Sequence, residues 1–201
     1  MAVEPGRFVT PEEYLAGERG SPNKSEYLQG QVFAMGDASP RHVLIVNNLV
    51  SELRSQLKQR PCSVFSSDLR IMVSETGLYT YPDVVVVCDG LQFRDGFKDT
   101  VTNPILIIEV LSKSTKDYDR GEKFEHYRTI DSLKEYLLIA QDRPHVEHHT
   151  RQPDNKWLLS ETSDLADVVE LPTIACRLAL TEICDKVDQP YRRMKHRGPT
   201  N

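Results

Sequence analysis

No apolar run in this 201-residue chain approaches the roughly 20 residues that a membrane span requires. The opening residues, Met1-Ala2-Val3-Glu4-Pro5-Gly6-Arg7, carry neither an apolar core nor a small-residue cleavage site, so no secretory leader is expected and the expected compartment is the cytoplasm. Cysteine is scarce and scattered. Cys62, Cys88, Cys176 and Cys184 form no CxxC pair, and Cys62 and Cys88 lie in apolar, strand-like contexts where reduced core thiols are expected. There is no GxxxxGK[ST] phosphate loop, no GxSxG elbow and no HExxH pair, which removes P-loop, serine-hydrolase and zincin chemistry. Repeats and low-complexity segments are absent as well. Positive charge is in deficit, with 25 Lys and Arg against 30 Asp and Glu and a net charge of −5. That argues against a passive nucleic-acid binder, which generally carries a basic footprint. It leaves open a protein whose acids are neutralised by bound cations, which the formal count ignores.

What the chain does have is enough apolar sequence, 39%, for one domain with a real core. Its organising stretch is PILIIEVLSKSTKDYDRGEKFEHY, from Pro104 to Tyr127. Ile105 to Leu111 is an uninterrupted β-branched run of strand length, the pattern of a strand covered on both faces. Glu109 sits inside it, where loss of water costs several kcal/mol unless a cation or donors compensate. Tyr81 to Cys88 repeats the anomaly: Pro82 starts a strand, Asp83 follows, then four valines. If the two strands are neighbours, two carboxylates meet, repel and call for a positive charge between them. A divalent cation with oxygen ligands meets that need. Asp119-Arg120-Gly121-Glu122 has the spacing of a capping box and predicts a helix start. Lys123 and Tyr127 then share one helix face and can return over the Glu109 strand. Two acids, a lysine and a metal form a set for phosphodiester hydrolysis.

The remaining elements read as follows. Thr10-Pro11-Glu12-Glu13 opens a short helix with Tyr14 and Leu15 inward. Glu26 to Met35 is a strand or hairpin turning at Gly30. His42 to Lys58 is a helix with Val43, Val46, Leu49, Val50, Leu53 and Leu57 on one face. His42, at its start, either touches a phosphate or metal-bound water or makes a helix-terminus hydrogen bond. Cys62 to Val73 reads as one strand with a polar middle, where Asp68 and Arg70 share a face, either as an ion pair near the site or, the favoured reading, as a solvated pair. The Asp89 to Asn103 loop offers Arg94, Lys98, Phe93 and Phe97 to a nucleic-acid backbone, or packs them down. Leu133 to Ile139 is a strand. Arg143 to Arg151 and Trp157 to Glu161 form an edge hairpin through Pro153-Asp154-Asn155. His145, Glu147 and His149 are then either the exposed face of an edge strand or a zinc trio. Short strands and a helix at Thr181 to Val187 follow. A basic tail of Arg192, Arg193, Lys195, His196 and Arg197 ends the chain, either docking on phosphate or fraying.

The order Pro82-Asp83, Glu109-Val110-Leu111-Ser112, Asp119-Arg120-Gly121-Glu122-Lys123 and Glu135-Tyr136 resembles the putative restriction endonuclease family of bacteria, within the restriction-endonuclease-like PD-(D/E)XK superfamily. The resemblance covers roughly Thr10 to Thr150. It implies an α/β fold in which a central mixed β-sheet is flanked by helices, with an additional β-hairpin toward the C-terminus. Residues 1–201 would form a single domain, its core at about 10–150 followed by an extension and the basic tail. The lysine expected two residues after the glutamate is replaced by Leu111, and the resemblance gives its role to Lys123. It implies that Asp83, Glu109 and the Val110 backbone carbonyl hold Mg²⁺ or Mn²⁺, and that Glu26 joins the site as a first-motif acid. Glu26 reads equally as a surface acid at a strand start. His42 and Tyr127 are auxiliary candidates. The implied partner is nucleic acid, DNA first, with a homodimer to cut two strands and no membrane. The competing readings are a non-catalytic nucleic-acid-binding or regulatory module on the same fold, and an interaction protein whose acids are all paired with arginines.

Overall fold

The computed structural model describes residues 8–187 of the chain. Helix α1 (Pro11–Gly20) opens on a capping box in which the Thr10 hydroxyl accepts the Glu13 N–H at 3.2 Å and the Glu13 carboxylate accepts the Thr10 N–H at 3.0 Å. It buries Tyr14 and Leu15. Strands β1 (Ser25–Leu28) and β2 (Gln31–Ala34) form a hairpin through Gln29 and Gly30, whose φ values of 48° and 89° fit a tight turn. Helix α2 (Pro40–Leu57) is capped by Ser39 and buries Ile45, Val46, Leu49, Leu53 and Leu57. Val43, expected inside, is exposed, because the buried stripe runs through Ile45 instead.

The stretch expected as one strand from Cys62 to Val73 breaks at Ser67-Asp68-Leu69. Its halves, β3 (Cys62–Ser66) and β4 (Arg70–Val73), join different sheets. Then come β5 (Leu78–Thr80), β6 (Val84–Cys88), β7 (Thr100–Val101) and β8 (Leu106–Leu111). Helices α3 (Lys116–Arg120) and α4 (Glu122–Tyr127) meet at Gly121. The capping box expected from Asp119 does not form: Asp119 lies inside α3, and the N-cap of α4 is Gly121 with no side-chain bond. Strands β9 (Glu135–Ala140), β10 (Val146–Arg151), β11 (Trp157–Thr162), β12 (Val168–Leu171) and β13 (Cys176–Ala179) follow, with a 3₁₀ turn (Pro172–Ile174) between the last two. The closing helix α5 (Leu180–Ile183) is one turn, shorter than the sequence predicted. The basic tail lies outside the described residues.

The main sheet is mixed, in the order β11-β10-β9-β8-β6-β3, with only β8 and β9 parallel. A second sheet runs β2-β1-β5-β4-β7, and β12-β13 is a separate ribbon. Along β8, Leu106, Ile108 and Val110 pack on the side of α2 and β13, while Ile107 and Leu111 face the α4 side with Tyr127 and Tyr136. Both faces are covered, which is why the run shows no polar alternation. Glu109 falls on the α4 side by the period of two. Asp83, one residue before β6, stands next along the β6–β8 register, which pairs Val84 with Ile108. Register also decides the cysteines. Cys62 lies opposite Cys88 with Cα atoms 4.0 Å apart, and the two form a disulfide, correcting the expectation of separate reduced thiols. Among the described residues Cys176 and Cys184 form no disulfide. No helix among the described residues is long and apolar enough to cross a membrane.

Candidate active site

Four carboxylates gather around one ammonium on the α4 side of the main sheet. Lys123 Nζ lies 3.0 Å from Glu109 Oε1, 3.1 Å from Glu26 Oε1 and 3.6 Å from Asp119 Oδ1. All four of these side chains are almost wholly buried. Asp83 joins from the next strand: its N–H donates to Glu109 Oε2 at 3.3 Å, and its own Oδ2 accepts the Val110 N–H at 2.8 Å. The Tyr127 hydroxyl donates to Glu109 Oε1 at 2.8 Å, and Thr80 donates to Glu26 Oε1 at 2.5 Å. His42 Nε2 sits 2.9 Å from Asp83 Oδ1; these two side chains, about one-sixth exposed, form the most accessible edge of the cluster. Each element contributes for a local reason. The β1 strand turns Glu26 inward from the second sheet, the α2 cap sets His42, and one turn of α4 places Lys123 and Tyr127 on a common face.

The charges do not balance. Burial pushes the Glu109 carboxyl up to about 8; the Lys123 charge opposes this, while Asp83 and Asp119 add to it. Burial likewise raises Asp119 against the pull of Lys123. Burial alone would lower the Lys123 ammonium, but Glu109, Glu26 and the neighbouring acid Asp119 reverse the direction and hold it charged. Burial keeps the Tyr127 phenol neutral and therefore a donor.

The structure thus brings together Glu26, Asp83, Glu109, Lys123, His42 and Tyr127. It adds Asp119, which the sequence pattern alone assigns to a helix cap. Its position four residues before Lys123 was the available signal, since i and i+4 share a face. Other candidates stand elsewhere. Arg70 is buried rather than solvated, held by Tyr81 at 2.8 Å and Asp99 at 3.1 Å, while Asp68 is exposed and pairs with Lys24. Arg94 is tied to Glu12, Asp95 and Tyr79, and the Arg19 guanidinium lies 3.8 Å over the exposed Phe97 ring, so this loop packs onto α1. Glu147 takes Arg120 in a two-pronged contact, and the His149 ring packs 4.5 Å from Phe124. Glu147 and His149 are thus joined to α3 and α4, His145 turns to Ser163 and Glu161, and no zinc trio forms among the described residues.

The family model described as Uma2, putative restriction endonuclease, matches residues 11–181. Two proteins of Synechocystis sp. (strain ATCC 27184 / PCC 6803 / Kazusa) are similar to the chain. Uncharacterized protein sll1609 is 40% identical over 161 residues, covering 80% of this chain and 91% of its own. Uncharacterized protein slr1290 is 35% identical over 175 residues, covering 87% and 90%. A crystal structure described as a putative nuclease belonging to DUF820 from Anabaena variabilis ATCC 29413 superposes with a TM-score of 0.70. The match covers 87% of this chain and 97% of that one at 21% identity, and it shows a shared fold.

Proposed function

The chain belongs to the Uma2 family, described as putative restriction endonucleases, and from that premise we propose that it is a metal-dependent nuclease cleaving phosphodiester bonds of DNA at the cluster around Lys123. The observation that carries the reading is the surplus of acidic groups around one ammonium: Glu109, Glu26 and Asp119 surround Lys123, and Asp83 abuts Glu109. A purely structural ion pair would match its charges, because an uncompensated buried anion costs several kcal/mol.

Among the described residues no three His, Cys, Asp or Glu side chains converge as a metal site, and the donors offered to a hard divalent cation are two carboxylates and a carbonyl. Mg²⁺ needs only one or two carboxylates, with waters and carbonyls completing its shell. Asp83 and Glu109 supply the carboxylates. Val110 sends its N–H toward Asp83, and in extended backbone the carbonyl of the same residue lies on the same side. Continuing the β6–β8 register sets Val110 opposite Pro82, which brings no N–H to occupy that carbonyl. A Mg²⁺ or Mn²⁺ ion held by these three groups would supply a Lewis acid at the scissile phosphate.

The chain's own groups have separate tasks. The Lys123 ammonium faces the negative charge that develops on the phosphate, in a site poor in water where such charge is worth most. Glu26 and Asp119 hold that ammonium in place. Tyr127 orients the Glu109 carboxylate, and His42 does the same for Asp83. Cutting both strands of a duplex takes two sites, which a pair of chains would provide.

A supercoiled-plasmid assay tests the reading. Nicking is expected with Mg²⁺ or Mn²⁺ and not in EDTA, with calorimetric heat of Mn²⁺ binding that Asp83→Asn removes. Wild-type protein that binds Mn²⁺ yet leaves plasmid intact would overturn it.

A further inference from the structure

We infer that the open groove beside the β10–β11 hairpin is a subsite for an unpaired stretch of nucleic acid, with Trp157 stacking a base and Arg128 and Lys156 meeting its phosphates. The inference takes its ligand class from the proposed nuclease reading and adds a place where the strand is held. The groove, about 720 Å³, is lined by Phe124, Arg128, His149, Lys156, Trp157 and Leu159. A second concavity of about 440 Å³ shares Lys156 and Trp157. The indole therefore borders both concavities.

Its orientation is fixed. The Phe124 ring meets it edge-on at 5.3 Å and 82°, and the Arg151 guanidinium lies 4.9 Å from its centroid. Phe124 is itself stacked on buried Tyr136 at 5.2 Å, and Arg151 is anchored on the Arg128 and Asp131 carbonyls. Arg151 covers one face of this half-buried, rigidly supported ring, so a base would stack on the other, at about 1–3 kcal/mol per base.

The charge on the groove is of the right sign. The Arg128 guanidinium is exposed and has no ion pair among the described residues. Lys156 is exposed and, among the described residues, pairs only with Asp154 of its own turn, at 2.6 Å, a contact that water and salt weaken. Burial lowers the His149 imidazole, so it adds a ring and not a charge at neutral pH.

Position links the groove to the cluster. Phe124 and Arg128 each follow directly on Lys123 and Tyr127, so one flank of α4 faces the carboxylates and the next faces the groove. About 10 Å of helix width separates them, within reach of a short unpaired strand.

A second copy of the chain is the rival occupant, since β11 is an edge strand with exposed Leu158 and Leu159. A two-fold contact centred on the groove would set Arg128 and Lys156 against their own copies, and like charges oppose that.

Trp157 is the chain's only tryptophan, so its emission reports on this groove alone. The test titrates the full chain in EDTA with a 12-nucleotide oligothymidylate. Saturable quenching that weakens with salt is expected, and Arg128→Ala or Lys156→Ala should each lower the salt slope by about 0.7. By anisotropy of a labelled oligonucleotide, Trp157→Ala should bind about 5- to 150-fold more weakly while melting as a folded protein. Binding by anisotropy without quenching, or no change in emission at any oligonucleotide concentration, would overturn the subsite. So would a blue shift on self-association without oligonucleotide. The readout needs neither metal nor turnover. Quenching without plasmid nicking would sink the nuclease reading alone, and nicking without quenching would sink the subsite alone.

Discussion

Two glutamates are buried on adjacent parallel strands, Glu109 on β8 and Glu135 on β9, and they are treated in opposite ways. Glu135 is fully buried, and each oxygen has one matching donor: His148 Nε2 stands 2.7 Å from Oε2, and the Thr173 N–H donates to Oε1 at 2.7 Å. No second acid faces it through those contacts. Glu109 also has its donors, but it shares Lys123 with Glu26 and Asp119 and lies against Asp83. One glutamate is hydrogen-bonded oxygen by oxygen and ties β9 to β10 and the 3₁₀ turn. The other belongs to a group with charge left over. Burial of a carboxylate is thus no mark of a reactive site by itself. The mark is burial that the chain leaves uncompensated.

The largest expected effects separate the two. Asp83→Asn keeps an oxygen for the Val110 N–H but loses the charge. Plasmid nicking should fall by about 10³-fold, comparable to losing a principal electrostatic stabiliser, with little change in melting temperature. Glu135→Ala should do the reverse. It strands His148 and the Thr173 N–H in the interior and should cost about 3–5 kcal/mol in urea unfolding, with the heat of Mn²⁺ binding retained. A folded Glu135→Ala protein that no longer binds Mn²⁺ would erase the distinction.

The sequence made much of this legible, for particular reasons. Glu109 and Asp83 stood out because acids are anomalous in runs of Ile and Val. Tyr127 was found through its spacing from Lys123. Asp119 was misassigned because an acid three residues before a glutamate is also a capping pattern, and only the packing of α3 shows which role prevails. The Cys62–Cys88 bond and the break of β3 from β4 depend on which strands pair. Register between distant segments leaves little trace in one sequence. Glu147 and Arg120, 27 residues apart, are a contact of the same kind.

A smaller effect tests the surplus charge directly. The folded Glu109 carboxyl titrates near 8, above the ordinary 4.5, so the folded chain holds that proton more tightly than the unfolded chain. Metal-free stability should therefore fall as pH rises from about 4.5 to 8 and then level off. Glu109→Gln keeps an acceptor for Tyr127 and removes the titration. In EDTA it should be the more stable protein at pH 9 by a few kcal/mol at most, and lose that advantage at pH 5. Parallel pH profiles for the two proteins would mean Glu109 is as well compensated as Glu135.

The smallest effect asks how Lys123 is held. The face of β10 that carries Glu147 and His149 grips the α3–α4 segment on the flank next to the one that faces the carboxylates. Arg120 donates to Glu147 at 2.6 to 3.1 Å, His149 packs on Phe124, and Arg151 donates to the Arg128 carbonyl. Burial works against the Glu147 charge, but Arg120 outweighs it and holds the carboxyl below its usual range. Arg120 adjoins both Asp119 and Gly121, the break between the helices, so its anchoring sets the angle at which Lys123 enters the cluster. Glu147→Gln removes the charge at nearly constant shape. It should lower kcat about tenfold, the low end for groups that orient a metal site from behind, and leave KM and the heat of Mn²⁺ binding unchanged. An unchanged kcat would assign the seating of α4 to the Phe124–Tyr136–Trp157 ring stack. A rise in KM without loss of kcat would instead place Glu147 among the groups that hold the substrate, because a residue acting only through Lys123 has no route to ground-state binding.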